Sequence, residues 1–508
     1  MSAEGAAPAP AAEAPWRRLS ARMLLVHPVQ EVVRAMPALF GLVVAGSGSG
    51  QGGRWALIGV ALAIAAGTLR WFTTRYRVTP DQVQVRRGLL RRSLRAVSRD
   101  RVRTIDVSAN PLQRVLGLVR LTVGTGLAER GPRGGGVRLD GLDARDATGL
   151  RDALLHERPR TATPGAGLTA PEAVAAETEL ARLRPAWLAY APFTLSGVLT
   201  IGAIGGFLLN AADDVHLDPR HLGVVDRAGD ALGGVPLVLA IVVALLAVVL
   251  LVAVCSTAGY ALAFWGYRLT RNPGGTLHVT RGLLSTRATT IEERRLRGVE
   301  LSEPLLLRWA GGARCDAIAT GLGAGRGAER GTTLFPPGPR AAAAHVAEDV
   351  LRTTEPVTVA LTPHGPRARL RRYSRAFAGS AVLVAAAGAG AIAGIWPDTV
   401  WEGALVTVPL AAALAADRAR SLGHAVTTTA LVARAGSLVR RRAMLSREGI
   451  IGITVRRSFF QRRAGLCTLT ATTAAGRQAY AVADVPADEA LRVCDAAVPG
   501  LLDAFRAG

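Results

Sequence analysis

The chain has 508 residues, half of them hydrophobic, and a formal net charge of +23. All 61 basic residues are arginine, so there is no Walker A lysine, no Schiff-base lysine and no kinase strand lysine. The four cysteines, Cys255, Cys315, Cys467 and Cys494, are far apart and form no C-x-x-C pair, which favours isolated thiols over a zinc or redox site.

Residues Met1 to about Pro15 are Ala/Pro-rich and read as a disordered leader, without the basic start and apolar stretch of a signal peptide. Apolar runs follow. A spanning helix needs roughly 20 mostly apolar residues. The clearest candidates are Trp55–Phe72, Leu188–Leu209, Val235–Trp265 and Phe377–Trp396. Met36–Ala45, extended back across Arg34, and Val400–Ala416 supply the missing partners. The spans pair as three hairpins. Trp55, Trp71, Trp187, Trp265, Trp396 and Trp401 lie near their ends, where an indole straddles headgroup and tail.

Arginine sets the orientation. Arg17, Arg18, Arg22, Arg75, Arg77, Arg367, Arg369, Arg371 and Arg372 flank the hairpins, whereas the turns inside them are uncharged or acidic. By the positive-inside bias both termini and the large domains are cytoplasmic. The strongest spans carry no ionisable residue, which argues against a solute or proton path.

Between the hairpins one unit recurs. YRVTPDQVQVRRGLL begins at Tyr76, YRLTRNPGGTLHVTRGLL at Tyr267 and the more divergent HAVTTTALVARAGSL at His424. A first glycine (Gly88, Gly282, Gly436) precedes a second (Gly117, Gly311, Gly465) by 29 residues in every copy. Short alternating strands surround them, and a helical pattern closes each copy at Ala144–Leu155, Arg340–Leu351 and Ala487–Ala497. Several short strands followed by one helix predict a small antiparallel barrel or sandwich plugged by that helix.

The Tyr-Arg-Val-Thr start at Tyr76, the Gly88-Leu89-Leu90 turn, Val102…Ile105…Val107 and Asn110-Pro111-Leu112…Leu116-Gly117-Leu118 resemble the bacterial pleckstrin-homology-like membrane proteins of the YdbS/YdbT type. The resemblance covers nearly the whole chain, although copy three lacks the Tyr and the Asn-Pro. It implies a PH-like fold but no agreed activity and no catalytic residues. The expected fold class is membrane α-helical hairpins plus α+β/all-β domains, in three repeats of a hairpin followed by a PH-like domain. The expected limits are a leader at 1–30, hairpin one at 31–72, PH-like domain one at 73–158 and a linker at 159–186. Hairpin two follows at 187–266 with an external loop at 210–234, domain two at 267–353 and a linker at 354–375. Hairpin three occupies 376–418 and domain three 419–508.

Two basic clusters are candidate sites for lipid or a partner. Copy one has Arg86, Arg87, Arg91, Arg92 and Arg95. Copy three has Arg440, Arg441 and Arg442, then Arg456, Arg457, Arg462 and Arg463 around Phe459 and Phe460. Next to an anionic leaflet each nearby cation contributes about 1 kcal/mol, and the phenylalanines would dip into the interface. The plain alternatives are a solvated basic face, and phenylalanines that fill the domain core. Nucleic acid is not expected, because aromatic residues are few and the membrane is close. His216 and His221 with Asp213, Asp214 and Asp218 fit no metal motif, and Gly321, Gly323, Gly325 and Gly327 lack the setting of a phosphate loop. No cofactor, metal or catalytic residue is expected. The expected function is a non-enzymatic scaffold in the bacterial cell membrane, binding protein, peptide or anionic lipid at the inner leaflet, with a possible protein partner or homo-oligomer. The alternative is a transporter or export component for envelope stress or toxic-peptide resistance.

Overall fold

A computed structural model describes residues 15–45, 52–79, 81–88, 93–98, 104–124, 137–155, 177–194, 237–320 and 332–500. The chain divides into two compact units, residues 1–183 with 195–291, and residues 184–194 with 292–508.

Unit one begins with a hairpin of the helices Met23–Ala45 and Gly52–Thr73. Their backbones pass closely at Gly67, where a Cβ would lie 2.8 Å from the nitrogen of Pro28. Strands β1 (Arg17–Arg18), β2 (Arg75–Val78), β3 (Gln82–Arg87) and β4 (Ser93–Ser98) form one antiparallel sheet in that order. Strands β5 (Thr104–Ala109), β6 (Leu118–Gly124) and β7 (Val137–Asp143) form the second layer, and the helix Ala144–Leu155 closes it. Tyr76, Val83, Val85 and Val97 from the first layer meet Ile105, Leu121, Val123 and Leu139 from the second, with Ala147 of the closing helix, in one buried cluster. Alternate side chains of each strand supply that core, as the pleat requires.

Copy two is divided between the units. Its first strands, β8 (Thr178–Arg182), β9 (Arg268–Asn272), β10 (Thr276–Arg281) and β11 (Thr286–Glu292), extend the second layer of copy one into a sheet ordered β7-β6-β5-β11-β10-β9-β8. The joint is the antiparallel pairing of β5 with β11, from Ala109 opposite Thr286 to Thr104 opposite Ile291. The guanidinium of Arg287 on β11 donates to both carboxylate oxygens of Asp106 on β5, with Nε 2.9 Å from Oδ2.

Unit two repeats the joint. Strands β12 (Leu296–Pro304), β13 (Gly312–Ala319) and β14 (Thr333–Pro339) of copy two share a sheet with β15 (Gly423–Val426), β16 (Ala430–Ala435) and β17 (Val439–Ser446) of copy three, in the order β14-β13-β12-β17-β16-β15, joined by the pairing of β12 with β17. Again an acid on the earlier copy meets an arginine on the later one: Arg441 Nε lies 3.4 Å from Glu300. Strands β18 (Gly452–Arg456), β19 (Leu466–Thr472) and β20 (Ala479–Pro486) complete copy three, and the helix Ala487–Ala497 packs Ala490, Val493 and Cys494 on Leu431, Leu445, Leu469 and Val482. Hydrophobic residues on one stripe of this helix meet the two sheet layers and close the core.

The repeated glycines have repeated conformations. Gly88, Gly282 and Gly436 have φ of 101°, 107° and 112°, and a Cβ at Gly282 or Gly436 would lie 2.0 Å from the carbonyl oxygen of Ser285 or Val439 across the turn. Gly117, Gly311 and Gly465 have φ of 70°, 73° and 65°. Their carbonyls accept from the first N–H of the closing helices, Ala144, Arg340 and Ala487, at 3.1, 3.0 and 3.0 Å. L side chains avoid this backbone region, which accounts for glycine at all six positions.

Among the described residues three helices are long and apolar enough to cross a membrane: Leu245–Phe264, Gly365–Ile392 and Thr399–Ser421. A shorter apolar helix covers Leu57–Thr73. The span Thr399–Ser421 is broken at Val406, between helices Thr399–Leu405 and Thr407–Ser421. Pro409 accounts for the break, since it has no N–H to give to Leu405 and its ring crowds that carbonyl. The expected start of hairpin two is different. Pro185–Thr194 is a 3-10 helix, and Trp187 is buried with its ring 4.7 Å from that of Phe335. Pro192 lies inside this 3-10 helix and Trp187 fills a domain core, so Trp187 is not an interface anchor. The rest of that span and the external loop with Asp213, Asp214, His216, Asp218 and His221 lie outside the described residues, as do residues 1–14 of the leader and Gly321–Gly327; the remainder of the expected leader, residues 15–30, holds β1 and the start of the helix Met23–Ala45.

Candidate membrane interface

Between its fourth and fifth main strands each copy places a helix of little more than one turn: Pro111–Val115, Leu305–Trp309 and Phe459–Arg463. Each buries one residue, Gln113, Leu307 or Gln461. Each also turns large apolar side chains outward: Val115 is 87% exposed, Trp309 73%, Phe459 65% and Phe460 71%. Large apolar groups are thus exposed at the same place in all three copies.

The chain leading into the apolar helices docks beside this short helix in copies one and three, and the 3-10 segment Pro185–Thr194 does so in copy two. In copy one Arg22, at the foot of the helix Met23–Ala45, donates from Nη1 to the Leu116 carbonyl at 3.2 Å, and Met23 and Val26 bury against Leu118. In copy two Tyr190 of the 3-10 segment lies beside Gly312, where a Cβ would meet it at 2.7 Å. In copy three Arg371, in the first turns of the helix Gly365–Ile392, donates to the Ser458 hydroxyl at 3.3 Å. Ser458 caps the helix Phe459–Arg463 in a reciprocal box with Gln461.

A buried carboxylate secures the copy-three joint. Asp484 is 1% exposed and has φ of 60°. It accepts from Arg371 and from Gln461 Nε2 at 2.8 Å, and the Arg372 guanidinium forms an ion pair with it at 2.6 Å. At the matching place before the closing helix of copy one, Gly141 has φ of 83°, and Met23 sits where its Cβ would be. The same backbone bend therefore receives the hairpin foot by packing in copy one and by charge in copy three.

The candidate arginines fall into separate groups. Arg456, Arg457, Arg462 and Arg463 are exposed around the Phe459–Phe460 pair, whose rings meet edge to face at 5.5 Å. This corrects any grouping with Arg440, Arg441 and Arg442, which sit on β17 at the joint of copies two and three. Arg440 lies 3.4 Å from Asp417 and 3.7 Å from Glu303, and Arg441 reaches Glu300. Arg442 donates to the carbonyls of Pro356 and Val359 at 2.9 and 3.0 Å. Burial, with Arg434 nearby, pushes its pKa down to about 10. These three side chains are committed inside the protein. In copy one Arg86 and Arg87 lie on β3, and Arg91 and Arg92 lie outside the described residues.

Sequence reasoning missed Asp484 and a buried histidine pair, His364 and His424. The adjacent Arg371 and Arg372 at the foot of an apolar run were the signal for a buried acid. No group of three or more potential metal-ligating side chains occurs among the described residues.

The Bacterial PH domain family matches the chain three times, over residues 32–158, 221–348 and 379–496. The chain belongs to that family. Each matched stretch takes in apolar helix with the β domain that follows it, so family and fold give the same repeat of the β domain. The chain is also 23% identical over 285 residues to UPF0699 transmembrane protein YdbT of Bacillus subtilis (strain 168), covering 54% of this chain and 55% of that protein. It thus spans about half the length of the curated relative it matches. No solved structure matches.

Proposed function

We propose that this membrane protein is a non-enzymatic scaffold. Six spans in three hairpins hold its PH-like domains at the inner leaflet, with both termini in the cytoplasm. The exposed turn of copy three rests among anionic lipid headgroups. The observation that carries the reading is the Phe459–Phe460 pair, outward-facing among exposed arginines on a helix bonded to the foot of an apolar, membrane-length helix. Arginine heads near an anionic surface attract, and the two rings add apolar insertion that salt does not screen.

Hydrogen exchange on the full chain in nanodiscs tests it. Residues 456–463 should exchange more slowly in anionic than in zwitterionic bilayers, and the double change Phe459→Ser with Phe460→Ser should abolish the difference at high salt. Equal exchange in both bilayers would overturn the reading. An export component would instead require a polar path through the spans, and the described part of Leu237–Phe264 carries no Asp, Glu, Lys or Arg.

A further inference from the structure

At both internal joints the fourth main strand of one copy is covered by the third main strand of the next: β5 by β11, and β12 by β17. In copy three no strand takes the place of that cover among the described residues. Its fourth strand, β18, has β19 as its single strand neighbour among the described residues. The edge is also changed chemically. Counted back from the second glycine, the place of the joint acids Asp106 and Glu300 falls on Thr454. The place of Ser108 and Ser302 falls on Arg456. The apolar position between them is Leu301, 6% exposed, in the joint of unit two and Val455, 45% exposed, on β18. Ile451, just before the strand, is exposed too.

We infer that the open edge of β18 receives an extended, acidic segment of a partner protein, which adds to the sheet where a following copy would lie. The partner's backbone pairs with β18, its apolar side chains cover Ile453 and Val455, and its carboxylates face Thr454 and Arg456. The internal joints carry the acid on the fourth strand and the arginine on its cover. On β18 the charge is inverted, so the acid must come from the incoming strand.

A second copy of this chain fits poorly. The available edge would be β4, whose single strand neighbour among the described residues is β3. In the register of the internal joints, β4 would bring Arg95 opposite Thr454 and beside Arg456. Two arginines would then stand where the internal joints hold an ion pair, and like charges across strands destabilise. This inference is independent of lipid contact by Phe459 and Phe460.

The test uses the full chain in zwitterionic nanodiscs and a seven-residue peptide of alternating valine and glutamate. Binding is read by fluorescence anisotropy and by amide exchange of residues 452–456. The expected result is saturable binding with slowed exchange there. Methylating alternate peptide nitrogens, or making Arg456→Glu in the protein, should weaken binding by about tenfold or more. Arg456 is exposed, so its replacement leaves the fold intact. Equal binding of the methylated peptide would reduce the effect to charge attraction and overturn the inference. Absence of peptide binding would also overturn it, as would protection of residues 452–456 by self-association or by anionic lipid but not by peptide.

Discussion

Nδ1 of His424 lies 3.0 Å from Nε2 of His364, and Nδ1 of His364 lies 2.8 Å from the carbonyl of Ala483. The geometry fixes the proton order: His364 donates from Nδ1 to Ala483, and its bare Nε2 accepts from His424. Both rings are buried where the chain enters hairpin three. Burial, reinforced by neighbouring His424, pushes the pKa of His364 down to about 4. Burial alone lowers that of His424.

A pH dependence follows from the sign of these shifts. A histidine with a lowered folded pKa takes up its proton more readily in the unfolded chain, so stability is intact above about 6.5 and falls as pH drops toward about 4. The thermal midpoint of the purified protein should fall across that window. His364→Asn, which keeps a donor for the Ala483 carbonyl, should flatten the fall. A wild-type profile no steeper than that of the variant would contradict the assignment.

Asp484 should be among the costliest residues to change in copy three. Asp484→Asn keeps a residue that tolerates the left-handed backbone but leaves Arg371 and Arg372 without their carboxylate. Breaking a buried pair in this way costs roughly 3 kcal/mol. Asp484→Ala adds backbone strain of about 1 kcal/mol. Denaturant unfolding should give that order, and limited proteolysis should cut faster near residues 456–465. If both variants are as stable as the parent, the carboxylate does not secure the hairpin foot.

The joint of copies one and two should show measurable coupling between Asp106 and Arg287. Their side chains are 19% and 28% exposed, and the contact is two-pronged. A double-mutant cycle with Asp106→Asn and Arg287→Gln should return about 1 kcal/mol, well above the few tenths typical of exposed pairs. A coupling near zero would mean that the backbone ladder alone joins the copies.

Orientation is open to labelling. An impermeant thiol reagent on intact cells should modify a cysteine placed at Asp218 and leave one at exposed Arg492 untouched until lysis. The reverse pattern would place the domains outside.

The repeat was legible because glycine spacing and strand alternation are local. A positive φ at Gly88 or Gly117 selects glycine whatever surrounds it. The closing helices Ala144–Leu155, Arg340–Leu351 and Ala487–Ala497 also begin and end where the sequence pattern sets them. The joints between copies were not legible. Arg440, Arg441 and Arg442 are adjacent in sequence and look like one basic patch, but their partners Glu303, Glu300 and Pro356 lie on distant stretches of chain. Pairing across copies is a long-range choice that strand periodicity leaves open, since β11 presents the same alternation whichever strand it joins. Phe459 and Phe460 posed the same difficulty. A doublet on so short a helix suits a core or an interface equally well, and only the burial of Gln461 beside them shows which face is turned inward.

The most direct test replaces Phe460 with the photoreactive amino acid p-benzoylphenylalanine in the full chain, irradiates native membranes, and weighs the adducts by mass spectrometry. Contact with the leaflet predicts crosslinks at position 460 to anionic phospholipid, lost when the same group is placed at buried Gln461. Crosslinks at 460 to protein alone, or to no lipid at all, would contradict a domain resting on the membrane through this turn.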